Sequence, residues 1–231
     1  MSIPRRGGRA LIYLALVVAL GISLLPLGST THATQPIYFA ETNHTVSGRF
    51  LAAWQGPYSY QESVAINGYP ISDVQEEVNP TDGKTYQVQW FQRARFEYHP
   101  ETPPPDDVQF GLLGNSAAAG RRDEPPFRPV ARPAALSGAL SWFPETEHTL
   151  QGPFLDFWTR YGSWKQFGFP ISEMFTEPSK IDGQPYVVQY FERARFELHP
   201  GLAPEFGGVV LGQLGTEQYH PPAVTPTPPQ P

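Results

Sequence analysis

The chain has 231 residues, 27 prolines, no cysteine and a formal net charge of −6 at pH 7. Without cysteine it has no disulfide framework, no thiolate metal ligand and no cysteine nucleophile. The acidic balance argues against nucleic acid and anionic membrane surfaces as partners, because both attract positive charge.

Residues 1–33 have the pattern of a secretory signal peptide. Three arginines within the first nine residues precede the apolar run 11–25, and small residues at Thr31 and Ala33 suit a cleavage site. A spanning helix needs about 20 apolar residues, and this run is shorter. We therefore expect cleavage near Ala33 and a secreted or extracytoplasmic protein without membrane contact beyond the signal segment. An uncleaved N-terminal anchor is the alternative.

One pattern then occurs twice in the chain. Residues 86–100 read YQVQWFQRARFEYHP and residues 186–200 read YVVQYFERARFELHP, a match at 11 of 15 positions. Matches of G-x-F-L-x-x-W, P-I-S, D-G and L-G extend it in both directions. The sequence therefore predicts two copies of one small domain, 38–114 and 139–219.

The remaining segments are rich in proline. Residues 115–138 contain proline, alanine and arginine without a regular period, which predicts a linker between the two domains. Half of residues 220–231 are proline. We expect this tail to be extended, solvated and disordered.

Each copy begins with a predicted helix. In the second copy Gly152 and Pro153 suit a helix start, and the apolar face that follows has helical spacing: Phe154, Leu155, Trp158 and Tyr161. Gly162 ends this helix. In the first copy Gly56-Pro57 shortens the helix, and four extra residues follow.

Three strands should follow the helix. In the second copy they are expected near 173–178, at 186–191 and from Arg195 onward, with a hairpin turn at Asp182-Gly183 and a bend near 192–194. The predicted class is α+β, with two tandem small repeat domains that each pack a short helix on a three-stranded antiparallel β-meander.

The third predicted strand carries a charged row. Alternation directs Phe196 and Leu198 toward the core, and it directs Arg195, Glu197 and His199 outward. In the first copy the outward row is Arg95, Glu97 and His99. Such a row is either a structural charge ladder or a shared binding surface, and we favour the ladder.

The combination of G-P-F-L-x-x-W, F-G-F-P-I-S, D-G and an aromatic hairpin resembles the LGFP repeat of secreted and cell-wall-attached bacterial proteins. The complete sequence pattern of each copy is also similar to tandem repeats in secreted proteins of Chloroflexus-type bacteria. Phe167 stands where that repeat has leucine, so the resemblance is partial. It implies location at the cell envelope and a role in anchoring or organisation, and it implies no catalytic residues.

Two kinds of site can be drawn from the repeated residues. The first is a ligand surface of aromatic rings beside hydrogen-bonding groups. Its candidates are Arg95, Glu97, His99, Arg195, Glu197, His199, Trp90 and Trp164. Trp54 and Trp158 lie on the helix faces and are expected in the core, whereas Trp90 and Trp164 are freer to be at the surface.

The second kind of site is a metal or hydrolytic centre. Imidazole and carboxylate suit zinc, and paired carboxylates suit glycoside hydrolysis. The residues for a metal are Glu41 and His44 with Glu145 and His148, to which Glu97, His99, Glu197 and His199 could add. Turn formation and capping explain the same side chains, so we expect neither a metal nor a catalytic site.

The sequence thus predicts a secreted, non-enzymatic tandem-repeat module without a cofactor. Its expected partner is a cell-wall polymer or extracellular polysaccharide, or another envelope protein whose assembly it organises. A small secreted hydrolase or metal-binding protein that uses the duplicated Glu/His set is the alternative.

Overall fold

Short elements bounded by glycine and proline build a mixed α+β fold. The computed structural model describes residues 35–79, 81–136 and 138–221. The predicted signal peptide and residues 222–231 of the predicted tail lie outside the described residues. None of the described helices has the length and apolarity needed to cross a bilayer.

The first half of the described chain (35–118) contains six strands and three helices. They are β1 (Ile37–Phe39), β2 (His44–Val46), α1 (Gly48–Gln55), α2 (Tyr60–Asn67), β3 (Gln75–Val78), β4 (Thr85–Trp90), β5 (Arg95–Tyr98), β6 (Val108–Phe110) and α3 (Leu113–Ala117).

A connecting segment (119–136), which includes a 3₁₀ turn at Pro125–Phe127, leads to the second half (138–221). The elements there are β7 (Leu140–Phe143), β8 (His148–Gln151), α4 (Gly152–Arg160), α5 (Ser163–Phe167), β9 (Phe175–Pro178), β10 (Pro185–Tyr190), β11 (Arg195–Leu198), β12 (Val209–Leu211) and α6 (Leu214–Gln218), with a 3₁₀ turn at Pro204–Phe206.

Four antiparallel sheets result. β1–β2 and β7–β8 are two-stranded hairpins, and the larger sheets have the orders β3-β4-β5-β6 and β9-β10-β11-β12. The side-chain amides of Gln89 and Gln189 attach each hairpin to its sheet. Gln189 Nε2 donates to the carbonyls of Thr149 and Ser172, both at 2.7 Å.

The predicted helix faces are confirmed. Phe154, Leu155 and Trp158 of α4 are buried, and α1 ends at Gln55 before Gly56. The turn after β10 also lies where the bend was expected, because Phe191 N–H donates to the Ala194 carbonyl at 2.8 Å.

The sheets have four strands rather than three. The fourth strand, β6 or β12, is only three residues long, which is too short to show an alternation in the sequence. The sequence analysis also missed the hairpins β1–β2 and β7–β8 and the second helices α2 and α5. A capping box at Ser59 and Glu62 marks the start of α2 and was overlooked.

The last helix of each half packs against the hairpin corner of the other half. In α3, Asn115 N–H donates to the Glu192 carbonyl at 3.0 Å, and in α6, Thr216 N–H donates to the Gln92 carbonyl at 3.1 Å. The ring of Tyr219 beyond α6 also lies 5.4 Å from that of Trp90 in the first sheet. The two halves therefore share their cores.

The segment predicted as a linker takes part in this packing. Ala118 and Phe127 are buried and cluster with Ile171, Val188 and Tyr190 of the second half. Residues 35–136 and 138–221, as far as they are described, accordingly belong to one compact unit rather than to two bodies on a spacer.

Candidate functional site

The repeated Arg-Glu-His row is buried, so the expectation that it faces outward is wrong. Arg195 is 2% exposed and Glu197 is 0% exposed, and the other four members are nearly as buried. Alternation along a strand distinguishes its two faces, but it cannot show that both faces are covered.

In the second half the row is paired internally. Arg195 donates from Nε and Nη2 to Glu197 Oε1 at 3.0 and 2.8 Å, and it donates to both carboxylate oxygens of Glu217 in α6. His199 Nε2 lies 3.0 Å from Glu197 Oε2, and its ring stacks on Tyr186 at 3.6 Å. Burial alone lowers the pKa of Arg195, but its hydrogen bond to Glu217 and the surrounding negative charge raise the pKa overall.

The first half repeats this arrangement with a different second carboxylate. Arg95 donates to Glu97 and, from Nε at 3.0 Å, to Glu77 of β3. Trp90 Nε1 also donates to Glu77, at 2.6 Å, and Trp90 is buried, which corrects the expectation that it is a surface residue. Burial raises the pKa of Glu77, but the hydrogen bonds from Trp90 and Gln75 and the charge of Arg95 outweigh burial and lower the pKa.

These networks have the geometry of structural charge ladders. Each guanidinium is satisfied by two carboxylates, and removal of either partner would leave a buried, unpaired charge. The hydrogen-bonding capacity of the row is thus largely used within the protein. The other two core tryptophans, Trp54 and Trp158, are buried as expected and donate to the carbonyls of Gly68 and Gly168 at 2.9 Å.

The second set of candidate residues does not converge with the first. His44 Nδ1 pairs with Asp73 at 3.1 Å, and His148 Nδ1 pairs with Glu173 at 3.1 Å. Glu41 and Glu145 lie exposed on the hairpin turns. Among the residues that the structure describes, no group of three or more His, Asp or Glu side chains is placed to hold a metal ion.

An open groove of about 640 Å³ lies between the halves and contains one of the predicted ligand residues. Trp164 in α5 lines it with an indole that is 50% exposed. The exposed surface of the groove is mainly apolar, and charged side chains lie along it. Its lining includes Arg49, Tyr58, Asp106, Phe110, Lys165 and Arg193.

Three small residues open this groove. At Ala53, Pro57 and Pro105 the first half has side chains too small to fill the space between α1 and β6, whereas the second half has Phe157, Tyr161 and Phe206 at the matching sequence positions. There the ring of Phe206 lies 6.0 Å from Phe157 and 5.5 Å from Tyr161. In the second half these aromatic rings fill the space that corresponds to the groove of the first half.

The groove is rigid on one wall and adjustable on the other. Arg49 donates to both oxygens of the buried Asp107 carboxylate at 2.5 Å, and this bidentate pair fixes the guanidinium. Lys165 and Asp106 form an exposed ion pair at 2.8 Å, which a ligand can exchange at low cost. Arg193 joins the walls by donating to the carbonyls of Phe110 and Trp164 at 3.0 and 3.2 Å.

Tyr58 closes one end of the groove. Its hydroxyl donates to the Tyr161 carbonyl at 2.8 Å, and burial raises the pKa of Tyr58 to about 12. The hydroxyl therefore remains protonated at physiological pH and holds the two halves together at this end.

The sequence analysis identified Trp164 but missed the groove around it. The signal for the groove lies at positions where the two halves carry side chains of different size. A comparison of matching residues alone does not consider those positions. Comparisons of the chain with protein-family models, curated proteins and solved structures find no match.

Proposed function

We propose that the protein is a secreted, non-enzymatic binding module made of two fused copies of one repeat unit, and that the groove beside Trp164 binds an extracellular or cell-wall polysaccharide. The observation that carries the proposal is the half-exposed indole in an open groove between the halves.

The duplication is supported by equivalent strand registers. Val88 pairs with Glu97 in the first sheet and Val188 pairs with Glu197 in the second. The isolated bridges Pro70–Phe91 and Pro170–Phe191 also correspond. The last helix of each half also donates a hydrogen bond to the hairpin corner of the other half, a contact that a single unit would lack.

Saccharide binding fits the composition of the groove. A pyranose ring presents an apolar C–H face that packs on an indole, and its hydroxyls need hydrogen-bond donors and acceptors at the rim. Lys165, Asp106 and Arg49 supply these around Trp164. The openness of the groove favours a chain that passes through it over a small enclosed ligand. Location outside the cell rests on the signal-peptide pattern of residues 1–33.

The test is retention of the purified protein on insoluble polysaccharides, which include peptidoglycan, chitin, cellulose and xylan. We expect retention on at least one of them and a loss of affinity of about tenfold or more in Trp164→Ala, the cost of removing an aromatic anchor. Leu202→Ala, which also truncates an exposed apolar side chain, is the matched control.

A second variant tests the groove rather than the indole. Ala53→Phe introduces the residue that the second half carries at the matching position, so it should fill the groove and abolish retention while the protein stays folded. The proposal would be refuted if the wild type bound none of the polymers, or if Trp164→Ala were retained as well as the wild type.

A further inference from the structure

The second half holds an extended proline-rich stretch of its own chain. The Pro126 carbonyl accepts from Glu173 N–H at 2.7 Å, and Val130 N–H donates to the Glu147 carbonyl at 2.8 Å. Trp142 Nε1 donates to the Val130 carbonyl at 3.2 Å. Arg128, between Pro126 and Val130, has φ −78° and ψ 137°. This is a polyproline II conformation, which the proline that follows Arg128 favours.

The first half presents matching groups, and no segment of the described residues is bound to them. By sequence position and by contacts, Asp73 corresponds to Glu173, Asn43 to Glu147 and Tyr38 to Trp142. Asn43 and Glu147 both occupy left-handed turn positions, with φ 61° and φ 57°. The pairing of His44 with Asp73 reproduces that of His148 with Glu173.

The Tyr38 hydroxyl donates to Asn43 Oδ1 at 2.7 Å, but two backbone groups are unsatisfied within the part of the chain that the structure describes. Neither Asp73 N–H nor the Asn43 carbonyl makes a hydrogen bond to another described residue. The Tyr38 ring is 59% exposed, whereas Trp142 is partly covered by the proline-rich stretch. Tyr38, Asn43 and Asp73 therefore form a shelf on which one backbone donor, one backbone acceptor and an aromatic face remain available.

Charge and shape define the occupant. The Glu41 and Asp73 side chains are exposed beside the shelf, and the stretch held by the second half carries Arg128, with Arg132 two residues beyond its end. The aromatic pocket that receives Phe127 in the second half is occupied in the first by Tyr219, which packs on Trp90. The occupant thus needs prolines and arginine but no aromatic residue.

We propose that the shelf of Tyr38, Asn43 and Asp73 binds an extended, proline-rich and arginine-containing segment of a partner protein, in the manner in which the second half binds residues 126–130. Recognition of polyproline II segments by aromatic surfaces is a recurring mode of peptide binding, because the segment is already extended and loses little entropy. The inference rests on the proposed duplication, but it is independent of the groove.

The probe is a ten-residue peptide with the sequence of residues 124–133 and alanine in place of Phe127, added to the ¹⁵N-labelled protein. We expect the amide resonance of Asp73 to shift on titration and to saturate below about 1 mM peptide. Tyr38→Ala should weaken binding by about fivefold or more, and Tyr38→Trp should strengthen it, because tryptophan is the residue of the occupied site.

Two controls keep the outcomes apart. Leu202→Ala and Trp164→Ala should bind the peptide as the wild type does, so a failure of polysaccharide binding leaves this result unaffected. A peptide of the same composition in scrambled order measures the effect of charge alone. An unmoved Asp73 amide, equal shifts with the scrambled peptide, or unchanged affinity in Tyr38→Ala would overturn the proposal.

Discussion

Gly114→Ala tests the packing of the last helix of one half on the other half. Gly114 lies in α3 against the corner that follows β10, and a Cβ there would lie 1.7 Å from the Phe191 carbonyl oxygen and 3.1 Å from that of Ala194. Gly114 does not occupy a positive-φ position. Alanine therefore suits its backbone, and in an exposed helix it would add about 1 kcal/mol of stability relative to glycine.

The steric conflict outweighs that gain. An ordinary carbon–oxygen contact is about 3.3 Å or more, so α3 has to retreat by roughly 1.6 Å. The retreat breaks the hydrogen bond from Asn115 N–H to Glu192, worth about 1 kcal/mol, and overpacking of this kind costs about 1–3 kcal/mol. After the propensity gain is subtracted, we expect the free energy of unfolding to fall by about 2 kcal/mol.

Urea denaturation followed by tryptophan fluorescence and by far-ultraviolet circular dichroism measures the change. Gly138→Ala is the matched control, because no atom of the described residues, its chain neighbours aside, lies within 4 Å of its Cβ position, and it should stay within about 0.5 kcal/mol of the wild type. Gly215→Ala, whose Cβ would lie 1.9 Å from the Phe91 carbonyl oxygen, should behave like Gly114→Ala. A Gly114→Ala variant as stable as Gly138→Ala would refute the packing of α3 against the hairpin corner of the second half.

Three further predictions concern the polar contacts. Glu197→Ala leaves Arg195 buried with half of its ion pairs, so we expect a loss of about 3–5 kcal/mol in urea denaturation, and a loss below 1 kcal/mol would contradict the structural ladder. Tyr58→Phe removes one hydrogen bond between the halves and should cost about 1 kcal/mol, measured in the same way. The hydrogen bond from Arg49 lowers the pKa of Asp107 in the folded protein below its ordinary value of 3.8. The ion pair therefore stabilises the fold above pH 3.8, and this stabilisation is lost as the pH falls further. Arg49→Gln should flatten the acid limb of the curve of unfolding free energy against pH, and an unchanged curve would contradict the pairing.

Local signals in the sequence were sufficient for the elements that depend on near neighbours. The apolar spacing of Phe154, Leu155 and Trp158 defines a helix because those residues meet on one face whatever lies beyond it. The turn at Asp182-Gly183 was equally readable, since Gly183 has φ 73° there.

Long-range packing accounts for what the sequence did not reveal. The buried Arg195 is paired with Glu217, which lies 22 residues later in the sequence. Glu217 belongs to α6, the helix that also packs on the sheet of the first half. An alternation of apolar and charged residues is typical of a half-exposed strand, and nothing within the strand signals that its polar face will be covered. Trp90 was misjudged for the same reason, because Tyr219 covers it.

Matching and differing positions of the two halves carry different information. Arg95 and Arg195 match because each half buries the same guanidinium and must neutralise it in the same way, so identity at this position reflects a constraint of packing. The halves differ in size at other positions. Phe157 is buried and packs on Phe206 in the second half, whereas Ala53 at the matching position lines the groove beside Trp164. The shelf at Tyr38 follows the same logic, since its counterpart is occupied by the chain itself. The two proposed sites therefore lie where the two halves differ, although the repeated segments attract attention first.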